Sequence, residues 1–197
     1  MDGIITKFDE LISEQKFNEA YNVITDAITN QGISNPELYW RLSRVCRDLA
    51  MRSGKHDKEM YKKYINEGLA AAESGLKLNP DHAKCHCWTA IHLNYASELE
   101  GIDQLTDLPF LKRKFASVFF GTPPNSTYEE ALDYLLASEK ASPNLIANNS
   151  LYLAKTYYRL KQYDKAKESC QNVLNFKADD METEEAKKEV TKLLKSL

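Results

Sequence analysis

The stretch Tyr163-Asp164-Lys165-Ala166-Lys167-Glu168-Ser169-Cys170-Gln171-Asn172-Val173-Leu174 opens on an aromatic residue and places Ala three residues later. It continues with small or apolar residues at helical spacing. The same cadence stands at Phe17-Asn18-Glu19-Ala20-Tyr21-Asn22-Val23-Ile24-Thr25-Asp26-Ala27-Ile28. It returns at Tyr128-Glu129-Glu130-Ala131-Leu132-Asp133-Tyr134-Leu135-Leu136-Ala137-Ser138. Ala20, Ala131 and Ala166 hold one place, and Gly68 holds it in a weaker fourth copy that runs to Leu78-Asn79-Pro80. A small residue there lets two antiparallel helices approach closely. Each copy follows another helix, marked by the large–small pairs Leu42-Ser43, Thr89-Ala90 and Leu153-Ala154.

This pattern resembles the tetratricopeptide repeat, a helix–turn–helix unit of about 34 residues. The last copy fits best, with Leu153, Ala154, Tyr157, Tyr163 and Ala166 at that repeat's spacings. Only Ala131 and Ala166 stand about one repeat apart, so the earlier gaps carry insertions that lengthen helices or add one. The expected fold is all-α: a tetratricopeptide-like helical-repeat solenoid with long insertions and a C-terminal capping helix. Its expected division is one domain over 1–197, with a degenerate repeat at 1–34, a repeat at 36–80, a repeat with insertion at 83–143, a repeat at 147–178 and the cap at 182–197. Predicted helices run over 3–14, 17–31, 36–53, 57–78, 82–100, 107–120, 126–140, 147–161, 163–176 and 182–196.

Boundary signals agree. Asn35-Pro36-Glu37 reads as an N-cap, a first-turn proline and an acidic first turn. Ser126 and Thr127, followed by Glu129 and Glu130, offer a capping box. Asn79-Pro80 and Ser142-Pro143-Asn144 stop helices. The final stretch alternates charges around Ala186, Val190, Leu193 and Leu194, as expected of an amphipathic helix that covers a solenoid's open end.

Composition narrows the function classes. Hydrophobic residues are 43% and charged residues 28%, which excludes a disordered chain. The net charge of −3 excludes a general nucleic-acid binder, which would be strongly basic. No apolar run approaches the length of a transmembrane segment, and residues 1–20 lack a signal peptide's apolar region. Cys46, Cys85, Cys87 and Cys170 are expected to be free thiols, fitting a reducing compartment.

Catalytic motifs are absent: no Gly-rich phosphate loop follows a strand, and there is no Gly-x-Ser-x-Gly elbow. No enzyme, catalytic residue or cofactor is expected. His82, Cys85 and His86 lie on adjacent turns of one predicted helix, a spacing that suggests a metal. A structural zinc needs four ligands, however, and no second pair exists, so no metal site is expected.

In the repeat register, the first helix of each repeat lines the concave face. That places Glu37, Trp40, Arg44, Arg47 and Asp48 there from the first full repeat. The next contributes Lys84, Cys87, Ile91, Asn94 and Tyr95, and the last Asn148, Leu151, Lys155, Tyr158 and Arg159. The bases outnumber the acids. Segment charges point the same way: residues 36–80 carry +3 and 144–197 carry +2, whereas 1–35 and 81–143 carry −4 each. Arginine forks bind carboxylates or phosphates, and neighbouring aromatics add apolar anchoring. The expected partner-binding groove comprises Trp40, Arg44, Arg47, Lys84, Tyr95, Asn148, Lys155, Tyr158 and Arg159. Its expected ligand is an acidic extended segment or an anionic head group.

The insertion Leu108-Pro109-Phe110-Leu111-Lys112-Arg113-Lys114-Phe115-Ala116-Ser117-Val118-Phe119-Phe120 reads as a basic amphipathic helix. It either packs on its own solenoid or lies on an anionic membrane. Phe110, Leu111, Phe115 and Phe119 are its candidate lipid-facing residues.

Trp40-Arg41-Leu42-Ser43-Arg44-Val45-Cys46-Arg47-Asp48-Leu49-Ala50, Cys87-Trp88-Thr89-Ala90-Ile91 and Phe119-Phe120-Gly121-Thr122-Pro123-Pro124-Asn125-Ser126-Thr127-Tyr128-Glu129 also resemble the regulator of microtubule dynamics family. The resemblance runs from about Asp9 onward. It implies association with microtubules, spindle poles and chromosome segregation, with no enzymatic residues to carry over. Some relatives carry an N-terminal membrane anchor and bridge endoplasmic reticulum and mitochondria, where the repeat domain binds phospholipid. The expectation for this sequence, which shows no such anchor, is a cytoplasmic, cytoskeletal and spindle location. Tubulin or microtubules, or another protein with an acidic tail, are the expected partners. Phospholipid is the alternative, and neither nucleic acid nor a transmembrane segment is expected.

Overall fold

The computed structural model describes residues 1–54, 57–103, 127–177 and 180–197. Among these residues there are nine α-helices and no strand. They are α1 (Asp2–Ser13), α2 (Phe17–Thr29), α3 (Pro36–Ser53), α4 (Lys58–Leu78), α5 (Ala83–Asp103), α6 (Tyr128–Ala141), α7 (Ala147–Arg159), α8 (Tyr163–Leu174) and α9 (Met181–Leu194). The helix expected over 107–120, with Phe110, Leu111, Phe115 and Phe119, lies outside the described residues.

Local chemistry explains the helix ends. The Asn35 side chain accepts the Glu37 amide at 2.9 Å, with Pro36 in the first turn. Thr127 accepts the Glu130 amide at 3.1 Å, and Asp180 accepts the Thr183 amide at 2.8 Å. The turns after α1 and α7 share one hydrogen-bond pattern. Gln15 and Lys161 both take positive φ, 57° and 60°. Lys16 N–H then donates to Leu11 O at 2.9 Å, and Gln162 N–H to Tyr157 O at 2.8 Å. The chain leaves each turn into the aromatic-x-x-Ala cadence of Phe17–Ala20 and Tyr163–Ala166.

Neighbouring helices pack in chain order, and α3, α5 and α7 also touch one another as a row. Those helices form the inner layer; α4, α6 and α8 form the outer one. The fold is an all-α tetratricopeptide-like helical-repeat solenoid. Its insertions show as length: α3, α4 and α5 have 18, 21 and 21 residues, against 13 and 12 for α7 and α8.

The small residues sit at the crossings. Ala20, Ala131 and Ala166 are fully buried, and Gly68 of α4 faces the His92 ring of α5 so closely that a Cβ would overlap it. Helix α5 is enclosed over its central turns, with every residue from Cys87 to Asn94 buried. Burying Cys87, Trp88, Ala90, Ile91 and Leu93 of this stretch against α3, α4, α6 and α7 supplies hydrophobic drive for stacking. Trp88 and Trp40 anchor the C-terminal part of the core, while Phe8, Ile24, Leu38 and Val45 fill the N-terminal part. The four cysteines are buried free thiols. Among the described residues no helix is long and apolar enough to cross a membrane.

Candidate functional site

The inner row brings Arg44, Arg47, Lys84, Lys155 and Arg159 together, and among the described residues all of these cations but Lys84 are met by carboxylates of the same chain. Helix α9 packs on α7 and α8, as a cap should. Its first turn also crosses the concave face, so that Glu182 Oε2 lies 3.1 Å from Arg44 Nη2 on α3. Glu182 Oε1 accepts from the Asn148 amide on α7 and stands 3.9 Å from Arg47 Nη2. Two turns later Glu189 pairs with Lys155.

Arg47 is held from several sides. Its Nε lies 3.1 Å from Asp48 Oδ1, and its guanidinium lies 5.6 Å from the Trp88 ring centroid. Burial works against its charge, yet Asp48, the Tyr152 and Tyr95 hydroxyls and Glu182 outweigh it and raise its pKa. Burial also raises the pKa of Asp48, against the pull of Arg47 and Arg44.

Trp40 and Lys84 form the N-terminal flank. Trp40 is buried, not an open platform, and its indole N–H donates to Glu37 Oε2 at 2.9 Å. Lys84 Nζ lies 4.3 Å from the Trp40 ring centroid. Glu37 also accepts from Arg41 at 2.7 Å and meets His82 Nε2 at 3.1 Å. Burial opposes its charge, but the bonds from Trp40, Arg41 and His82 outweigh burial and hold its pKa at about 2. Arg41 reaches on to Asp9 of α1, so this cluster ties the first helix to the third and fifth. His86 meets the Pro80 carbonyl at 2.7 Å. Among the described residues no group of three ligand-type side chains is placed to hold a metal.

The C-terminal flank is open. A pocket of about 290 Å³ is lined by Asn94, Tyr95, Glu98, Tyr152, Lys155, Tyr158, Arg159 and Leu193. The Tyr95 and Tyr152 hydroxyls share a 2.7 Å hydrogen bond, their rings set edge to face. Lys155 Nζ lies 4.7 Å from the Tyr152 centroid. Arg159 is half exposed and lies 3.0 Å from Glu98. Tyr158 leans on Tyr163 of the next helix, centroids 5.8 Å apart. Two cations one turn apart on α7, beside three tyrosines, can receive a carboxylate or phosphate at their outer edge.

Cys87, Ile91 and Leu151, expected to face the groove, are instead buried core residues, because neighbouring helices cover α5 and α7 at those positions. The expected surplus of groove cations is also reduced. Glu182, Asp48, Glu189 and Glu98 pair with Arg44, Arg47, Lys155 and Arg159, while Lys84 lies over the Trp40 ring. The sequence reading missed Tyr152, Glu182 and Glu189. The seven-residue spacing of the two glutamates on one helix face was the signal that could have found them.

Comparison with solved structures finds a thermophilic TPR protein of Thermus thermophilus, with TM-score 0.62 and 16% identity over 98% of this chain and 82% of that one. Among curated proteins, regulator of microtubule dynamics protein 1 of Bos taurus is 29% identical, over 81% of this chain and 60% of its own length. Regulator of microtubule dynamics protein 2 of Homo sapiens is 28% identical, over the whole of this chain and 56% of its own length. The chain thus spans a little over half the length of these relatives. The family model for regulator of microtubule dynamics protein 1-3 matches residues 4–106 and 104–197. That match takes in nearly all of the sequence, and with it the chain belongs to the regulator of microtubule dynamics protein 1-3 family.

Proposed function

We propose that this chain is a non-enzymatic, microtubule-associated interaction protein of the cytoplasm and spindle, acting in spindle function and chromosome segregation. It receives an acidic partner segment, a tubulin C-terminal tail in the first instance, on its concave face. The names of its relatives support the microtubule-related part of this proposal. The observation that carries the acidic-segment part is the open pocket in which Lys155 and Arg159 stand beside Tyr95, Tyr152 and Tyr158. Half-exposed ion pairs are worth little in water, so a partner's carboxylates exchange for Glu98 and Glu189 at small cost. The surrounding tyrosines add apolar contact that Glu98 and Glu189 do not use. The carrying units in this proposal are a degenerate repeat over 1–34, repeats over 36–80 and 147–178, a repeat with insertion over 83–143, and a cap over 182–197.

Co-sedimentation with microtubules tests the proposal. Pelleting should weaken with added salt and after proteolytic removal of the tubulin tails. Tail-independent pelleting would overturn the groove mechanism, and absence of pelleting at low salt would overturn the microtubule role. The alternative, a phospholipid-binding or lipid-transfer domain, rests on Phe110, Leu111, Phe115 and Phe119, which lie outside the described residues. Co-purifying phospholipid, detected by mass spectrometry, would favour it.

A further inference from the structure

Helix α9 does two different things with its two sides. Ala186 and Val190 are buried and join the core, with Leu193 and Leu194 packed beside them. Glu182 and Glu189, two turns apart, point into the groove and sit on Arg44 and Lys155. An amphipathic helix that seats an apolar stripe and sets carboxylates on groove cations is a helix-in-groove ligand. Here that ligand is part of the chain itself.

We propose that α9 is a resident competitor for the groove: Glu182 and Glu189 occupy the cations that an acidic partner takes, and the partner binds by exchanging with them. The proposal rests on the acidic-partner function stated above and adds its regulation. Three observations give it shape. Ala186 and Val190 of the apolar stripe are buried, so the helix stays seated while its carboxylates trade places. Glu189 keeps much of its hydration, its side chain 48% exposed, so releasing it costs little, whereas Glu182, 30% exposed, also gives up its hydrogen bond from Asn148. Arg44 uses Nη2 on Glu182, while its buried Nε makes no hydrogen bond among the described residues. Its fork is half used, and an incoming carboxylate that engages both arms gains a hydrogen bond that Glu182 does not make. The apparent affinity for a partner is then lowered by the fraction of time the cations are occupied from within.

The test measures binding of a fluorescein-labelled polyglutamate peptide to the full chain at low ionic strength, by anisotropy. The Glu182→Gln/Glu189→Gln variant keeps the size of both side chains and the apolar stripe. The Glu168→Gln/Glu184→Gln variant makes the same charge change on exposed positions outside the groove. The first should bind about tenfold tighter than the unmodified chain, and the second should match it to within about twofold, where a tenfold change corresponds to about 1.4 kcal/mol. Glu189→Gln alone, which disturbs α9 least, should give part of the gain. Equal affinities for the groove variant and the unmodified chain would overturn the competition. So would an equal gain in the control. In either case Arg44→Glu/Arg159→Glu still abolishes binding if the groove function is right. No peptide binding by any variant would overturn both.

Discussion

The His92 ring of α5 rests directly on Gly68 of α4, and its Nε2–H donates to the Ser43 carbonyl of α3 at 3.0 Å. One buried imidazole therefore sets the spacing of three helices. It is fully enclosed, and burial, aided by Arg47, pulls its pKa down to about 4 despite that hydrogen bond. Gly68→Ala should destabilise the protein by ~1–3 kcal/mol, because the methyl meets a ring with nowhere to move. Chemical denaturation of the variant checks this, and a loss under about 0.5 kcal/mol would show that the helices can part.

Because the folded state holds His92 neutral and the unfolded state titrates it near pH 6.5, the unfolded chain binds more protons between those values. The stability that a neutral His92 supplies is present above pH 6.5. It is lost as the pH falls from about 6.5 to about 4, by roughly 3 kcal/mol in total. Glu37 acts lower, its share being lost as the pH falls from about 4.5 to about 2. Denaturation series at stepped pH should show the upper slope in the unmodified chain and its disappearance in His92→Gln.

Lys161 and Gln15 hold left-handed backbone at exposed turns. Glycine takes that conformation without a Cβ penalty. Lys161→Gly should therefore raise stability by ~0.5–1 kcal/mol, seen as a melting temperature ~2–4 °C higher. Gln15→Gly should add to it independently, since the two turns stand in different repeats.

The Tyr95–Tyr152 hydroxyl pair gives an asymmetric expectation. Tyr152 is buried and Tyr95 half-buried. Tyr95→Phe strands the inner hydroxyl and should cost ~1–2 kcal/mol. Tyr95→Phe/Tyr152→Phe should cost less than the sum of the single changes. Additive losses in urea melts would count against the pairing.

Arg159 is the most exposed of the groove cations, and Arg44 pairs with the first turn of α9. Reversing both, as Arg44→Glu/Arg159→Glu, should reduce low-salt pelleting with microtubules at least ~tenfold, while far-ultraviolet circular dichroism stays helical. Unchanged pelleting would remove the groove from the mechanism.

Among the described residues, the helices, the Asn35 and Thr127 caps and the repeat cadence were legible in the amino-acid order. Those features depend on residues within a few positions of one another: Asn35 before Pro36, Thr127 before Glu130, Ala three residues after an aromatic. The hydrogen bonds and periodicities that fix them close within a turn or two. The same locality made Arg44, Arg47, Lys84, Lys155 and Arg159 legible as one row, since the register is a property of each helix. Their electrostatic state came from the folded arrangement instead. Glu182 is over a hundred residues from Arg44 along the chain and meets it because α9 folds back across the inner row. His92 became a neutral core residue because Gly68 admits its ring. Trp40, read as an open groove aromatic, is buried because Glu37 and Lys84 close over it. Burial and pairing depend on what arrives from elsewhere in the chain, and Coulomb interactions grow as water is excluded. A pattern of local spacing carries neither.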